Sequence, residues 1–270
     1  KKNPAKRAKV QIATKCGMVP AEGALKRDHI KWSVDESLKR LNTDRVDIYY
    51  MHHPDHDTPL IESITAMRDI IASGKAAYWG FSNHSGWEIG EIIRLCVETG
   101  TPWPVIAQPL YNIVNRDIEV ELLPLCQEHK IGVVSYSPLA RGVLSGKYKP
   151  GEAFPEGSRA ARGDKRMKEA ELRDSSFEVS QQIAAYCQKR GVPMTQFALA
   201  WCIANPILTS AILGPRTMEQ YDDNFGAINV TITPEDEGFI DSVIPPGEHS
   251  GKGFQDVAYP VTGRPQSRLS

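Results

Sequence analysis

VQIATKCG at residues 10–17 and VDIYYMHHPD at 46–55 decide how this chain is read. Each is an apolar, β-branched run of strand length that stops at an ionisable residue, Lys15 in the first and His52 in the second. Apolar runs without alternation mark strands buried on both faces, the pattern of a parallel sheet. A titratable side chain at the carboxyl end of such a strand lies where α/β barrels and open α/β sheets carry their chemistry. One such residue alone reads as a solvent-facing strand end; two on successive strands suggest an active-site floor.

The same pattern recurs outward from these two runs. Strands are predicted at 10–15, 46–51, 77–82, 105–108, 132–137 and 209–213, and amphipathic helices at 28–41, 59–73, 86–99, 117–130 and 175–190. A further helix at 193–204 precedes the last strand, and two more follow at 217–227 and 234–243. Asp28, Thr58-Pro59 and Thr233-Pro234 sit where helix caps and first-turn prolines belong. Gly74, Gly100 and Gly191 stand where helices close. Repeated β-then-α units predict an α/β fold, doubly wound or barrel. No G-x-G-x-x-G follows the first strand, which weighs against a doubly wound dinucleotide fold. A (β/α)8 TIM barrel needs eight units, so the strands present read as the third to the eighth, with on the order of 60 residues expected upstream. Residues 147–174, KYKPGEAFPEGSRAARGDKRMKEAELRD, read as a long loop over the catalytic face.

Composition limits the alternatives. The 270 residues, with 41% hydrophobic and 24% charged, suit a single globular domain over 1–270. A net charge of −1 supplies no global field for nucleic acid or an anionic membrane, and the basic opening KKNPAKRAK reads as the end of a solvated helix or loop. No apolar run reaches the roughly 18–20 residues that span a bilayer. No secretory signal pattern is present, and a Lys-Lys opening without Met leaves the native start open. The five cysteines, 16, 96, 126, 187 and 202, have no C-x-x-C spacing and read as free thiols in a reducing cytoplasm. His52, His53 and His56 with Asp55 and Asp57 lack the distant ligands of a metal site, so no metal is expected.

Six strings in all sit at or near strand ends in a fixed order. VQIATKCG and VDIYYMHHPD are joined by GFSNHS (80–85), AQPLYNIVNR (107–116), VVSYSPLARGVLSGKY (133–148) and ILGPRTMEQYDDNFGA (212–227). Together they resemble the aldo-keto reductase superfamily over essentially the whole chain. They match its strand-three lysine, its L-H-x-P-D histidine, and its G-x-S-N and Q-x-x-Y-N-x-x-x-R segments. They also match its Y-S-P-L-x-x-G-x-L-x-G-K-Y and G-x-R-T-x-x-Q-x-x-x-N strings. LSGKY, the Ala-Trp-Cys at 200–202 and the Gly-Ala at 226–227 are similar to the potassium-channel β-subunit branch.

The resemblance implies NADPH-dependent reduction of an aldehyde or ketone, with a small carbonyl substrate. Lys15 and His52 take the catalytic lysine and histidine roles. Ser82, Asn83 and Gln108 match the residues that hold the nicotinamide carboxamide, and Tyr136 the aromatic that stacks on the ring. Ser137, Leu139, Arg141 and Lys147 match the pyrophosphate segment; Gly214, Arg216, Gln220 and Asn224 match the site of the adenosine 2′-phosphate. The chemistry agrees: a carbonyl receiving hydride develops alkoxide charge that needs a proton donor and fixed positive charge nearby. Trp79, Trp87 and distal loops are candidates to shape the substrate pocket. The family's D-x-A-x-x-Y-G motif, with its catalytic tyrosine and aspartate, does not occur in this sequence, and Tyr49, Tyr50, Tyr111 and Tyr136 belong to other segments. It is expected upstream, with the first two units. An NADP-binding regulatory subunit acting on a partner protein, or an inactive truncated reductase, is the alternative.

Overall fold

A computed structural model describes residues 7, 9–18 and 23–251. The strands are β1 (Ala13–Cys16), β2 (Val46–Met51), β3 (Ala76–Ser82), β4 (Ile106–Gln108), β5 (Gly132–Ser135) and β6 (Leu208–Ala211). They form one six-stranded sheet in sequential order, with β1 and β6 at its two ends. The pairings β1–β2, β2–β3, β3–β4 and β4–β5 are parallel. The helices are α1 (Arg27–Leu41), α2 (Leu60–Ala72), α3 (Gly86–Thr99), α4 (Leu122–Glu128), α5 (Lys165–Ala170), α6 (Asp174–Arg190), α7 (Met194–Ala204), α8 (Met218–Phe225) and α9 (Pro234–Val243).

The described residues fall into two compact units. The first runs up to Leu110 and adds Val120–Val134 and Ile207–Ser210; the second holds Tyr111–Glu119, Ser135–Pro206 and the chain from Ala211 on. In the first, Ile30 and Val34 of α1, Ile64 and Met67 of α2 and Ile89 and Ile92 of α3 are fully buried, as are Val46, Tyr49 and Met51 of β2. Each such side chain contributes roughly 1.5–3 kcal/mol through burial. In the second, Tyr111 stacks on Trp201 with ring centroids 5.3 Å apart.

Long-range partners set the boundaries that the pattern missed. β1 starts three residues late because the Asp47 side chain takes the Ile12 N–H, at 2.7 Å. The predicted helix 117–130 divides into a 3-10 turn, Asp117–Glu119, and α4. Pro124 explains the break: in a continuous helix its ring would collide with the carbonyl of Val120. Lys26, not Asp28, precedes α1 as its cap, and Pro59 takes that place on α2 while Thr58 bonds Asp55. Thr233 caps α9 through a reciprocal capping box, as its Thr-Pro sequence predicts.

Residues 147–174 are not a bare loop. They contain α5, capped by Asp164, which accepts from the Met167 N–H at 2.8 Å. Tyr148 and Met167 are fully buried, and Tyr148 meets Phe154 and Phe177 at ring distances of 5.9 and 5.8 Å. These few apolar anchors are diluted in sequence by charge, so the segment reads as loop. Trp79 also departs from expectation: it is 1% exposed and donates its indole N–H to the Pro102 carbonyl, which makes it core rather than pocket wall. Trp87 lies exposed on α3.

Candidate active site

The strand ends of the first unit bring five of the predicted residues together. Lys15 pairs in register with Tyr50, and its Nζ lies 5.6 Å from that ring's centroid. His52 follows β2, with its backbone N–H bonded to Cys16 O at 3.0 Å. Ser82 pairs in register with Gln108 and donates its hydroxyl to the Gln108 carbonyl at 2.6 Å. Asn83, at a left-handed φ of 64°, donates its amide to the His52 carbonyl at 2.9 Å. Side-chain to backbone bonds thus tie the ends of β2, β3 and β4 to one another. Gly80 permits the spacing: a Cβ there would sit 2.2 Å from the Ile106 carbonyl oxygen, so β3 and β4 approach only because that side chain is missing.

Burial sets the electrostatics. His52 is pushed down to about 4, first by desolvation and then by His53 and Lys15, so its imidazole is neutral at physiological pH. Burial also lowers Lys15 from the usual lysine range. The His52 and His53 rings lie 4.3 Å apart, and His52 Nδ1 is buried with no protein partner among the described residues. A neutral imidazole, an ammonium and primary amides are groups that can polarise a carbonyl and hold an amide.

The second unit holds the other predicted residues. Tyr136, Ser137, Leu139 and Arg141 are half-buried and Lys147 is exposed. Ser137, Ala140 and Arg141 adopt φ of 54°, 45° and 51°, followed by Gly142 at 102°. Successive left-handed residues turn backbone N–H groups into an anion-binding concavity. Lys147 Nζ lies 2.9 Å from where a Gly142 Cβ would be, so the ammonium covers this turn.

Arg216, Gln220 and Asn224 recur at every fourth position, a spacing that would align them on one continuous helix. Only Gln220 and Asn224 lie on α8; Thr217 caps the helix and Arg216 precedes it. Thr217 in an extended conformation accepts the Gln220 N–H, which stops the helix from reaching back to Arg216. The Gln220 side chain accepts from the Arg216 backbone N–H at 2.9 Å. Gly214, Arg216 and Gln220 are exposed and Asn224 is 8% exposed.

The sequence model of the aldo/keto reductase family matches residues 1–245. This chain belongs to the aldo/keto reductase family. It is 37% identical over 230 residues to a probable voltage-gated potassium channel subunit beta of Arabidopsis thaliana, covering 83% of this chain and 70% of that protein. A protein of the same description from Oryza sativa subsp. japonica is 35% identical, over 88% of this chain and 75% of its own. An L-glyceraldehyde 3-phosphate reductase of Escherichia coli O157:H7 is 34% identical, over 82% of this chain and 65% of its own.

Two residues of this aldo/keto reductase's strand-end cluster escaped the sequence reading. Tyr50, 2% exposed, lies under Lys15, and burial raises its phenol while the Gln108 side chain opposes that shift. Nothing in VDIYYM distinguishes it from its buried neighbour Tyr49. His84, 4% exposed, meets the Ser82 carbonyl through Nδ1 at 2.8 Å and so supports the Ser82–Asn83 turn. Its place directly after Ser-Asn was the available signal. No helix among the described residues is long and apolar enough to cross a membrane, and no three His, Cys, Asp or Glu among them could hold a metal ion.

Proposed function

We propose that this aldo/keto reductase reduces an aldehyde or ketone to an alcohol with NADPH, in the cytoplasm. One observation carries the reading: Lys15, His52, Ser82, Asn83 and Gln108 stand at successive parallel strand ends, with Asn83 bonded to the His52 backbone and Ser82 to the Gln108 backbone. The proposal takes β1–β6 as strands three to eight of a (β/α)8 barrel. A dinucleotide phosphate suits the left-handed turn at Ser137–Gly142 with the Lys147 ammonium over it.

Bound NADPH supplies the hydride. His52, neutral, offers an N–H to the carbonyl oxygen, and the Lys15 ammonium offsets alkoxide charge as it develops. Lys15 also depresses the pKa of an acid placed beside it. Ser82, Asn83 and Gln108 are assigned to the carboxamide and Tyr136 to the ring face. Ser137, Leu139, Arg141 and Lys147 are assigned to the pyrophosphate, and Gly214, Arg216, Gln220 and Asn224 to the adenosine 2′-phosphate. Burial of Ser82 and Gln108 keeps water from weakening the carboxamide contacts.

The test is to mix the protein with NADPH and a panel of aldehydes and ketones while following cofactor absorbance. Consumption with at least one carbonyl, lost in His52→Asn, is the expected result; no consumption with any of them defeats the reading. The potassium channel subunit beta relatives favour a second reading, an NADP-binding regulatory subunit that acts on a partner protein. Tight NADPH binding without turnover is its signature.

A further inference from the structure

The turn at Ser137–Gly142 holds three non-glycine residues at positive φ. Such backbone persists only where its surroundings over-determine it. The restraint on Ser137 is a side chain: Asn112, fully buried, donates Nδ2 to the Ser137 carbonyl at 2.9 Å. An amide can flip, and two donors to Oδ1 prevent it: the Val114 backbone N–H at 3.1 Å and Asn115 Nδ2 at 3.0 Å. Asn115 is itself fixed at both ends, because Nδ2 also donates to Glu171 Oε2 at 2.9 Å while Oδ1 accepts from Arg173 Nη2 at 2.7 Å. A carboxyl oxygen that accepts and a guanidinium that only donates leave Asn115 one orientation. Asn115, Glu171 and Arg173 are 6%, 0% and 7% exposed, so solvent does not replace these partners. Burial raises the Glu171 carboxyl to about 7, and Oε2 accepts from Asn115 whether or not Oε1 carries a proton.

We propose that Asn115, oriented by Glu171 and Arg173, is a positioning residue for the dinucleotide. Through Asn112 it holds the Ser137–Gly142 turn in its anion-binding conformation, and it ties that turn to the carboxyl-terminal end of the 147–174 segment. The proposal rests on the NADPH reading above. It assigns a binding role to residues that lie behind the turn. It also predicts which part of the cofactor feels them: the pyrophosphate, shared by NADPH and NADH, and not the 2′-phosphate.

The test compares Asn115→Ala with the wild-type protein in two measurements. In fluorescence titrations, Asn115→Ala should weaken NADPH and NADH by the same factor, about tenfold for one buried hydrogen-bond link. Competition by adenosine 2′-monophosphate, which lacks the pyrophosphate, should not change. In the ligand-free protein, the Ala140 and Gly142 amides, bonded to Ser137 O and Leu139 O at 2.8 Å, should exchange with solvent faster, with α6 unaffected. Glu171→Met, which keeps both amides and removes the acceptor behind Asn115 together with the 4.0 Å ion pair to Arg173 Nη2, should show the same pattern at about threefold. It serves if Asn115→Ala does not fold. Equal loss for adenosine 2′-monophosphate and the dinucleotides, or unchanged dinucleotide affinity, overturns the positioning role. Unchanged exchange at Ala140 and Gly142 overturns the relay itself. A wild-type protein that binds neither dinucleotide overturns the NADPH reading, and the role for the cofactor with it, whatever the exchange measurement gives.

Discussion

The strand-end cluster and the segment 214–224 are built on opposite physical terms. At the strand ends, Ser82 is 1% and Gln108 8% exposed, and desolvation moves His52 to about 4. The proposed chemistry there rests on tight backbone spacing and on partial desolvation. At 214–224, Gly214, Arg216 and Gln220 are exposed, and the Arg216 guanidinium donates to the Gly157 carbonyl at 3.4 Å. A charge left in water acts through bulk electrostatics, which physiological salt screens within about 8 Å. The first arrangement suits altering reactivity; the second suits telling one phosphate from none.

The contrast breaks first at Lys15. Lys15→Met should lower turnover by roughly 10²–10⁴-fold, the range for losing acid–base support, while NADPH affinity stays near wild type. Steady-state rates beside a binding titration decide it, and unchanged turnover would remove Lys15 from the mechanism. The next effect is on stability. Gly80→Ala drives a methyl into the Ile106 carbonyl and should cost about 2–3 kcal/mol in a urea melt. Gly214→Ala meets nothing within 4 Å and should stay within about 0.5 kcal/mol. Similar losses at both glycines would erase the distinction between a tightly spaced region and an open one.

Arg216→Ala sharpens the exposed side. It should weaken NADPH binding by about 1.5 kcal/mol, close to tenfold, and leave NADH almost unchanged. The difference should shrink as salt is added. Equal loss for both cofactors would take the 2′-phosphate away from Arg216. A separate effect is a pH dependence. The folded His52 holds its proton less tightly than an unfolded histidine, so the unfolded state binds more protons below the unperturbed value. Its contribution is therefore present above about pH 6.5 and is lost as pH falls toward 4. Melts of wild type and His52→Asn across that window should converge at the acid end. Parallel curves would mean that His52 is not desolvated.

What could be read locally was read well. Apolar runs at 46–51 and 77–82 became β2 and β3, and the residues that ended them, His52 and Ser82, fell at strand ends. Thr233-Pro234 announced a cap that formed. Trp79 was misjudged because its partner, the Pro102 carbonyl, is remote in sequence and invisible to periodicity. The helix predicted at 217–227 begins at Met218 in the structure, because the Thr217 side chain serves as its cap.

The sequence by itself determined the β/α succession, the strand ends that carry Lys15 and His52, and the family, because each depends on residue type and short-range spacing. Only the tertiary structure decided that Glu171 is fully buried, that Tyr50 lies under Lys15 and that Asn112 grips the Ser137 carbonyl. Those facts join positions 56 residues apart, as Asn115 to Glu171, or 25, as Asn112 to Ser137. A hydrogen bond or desolvation at such range is set by what the fold brings close. No local pattern encodes it.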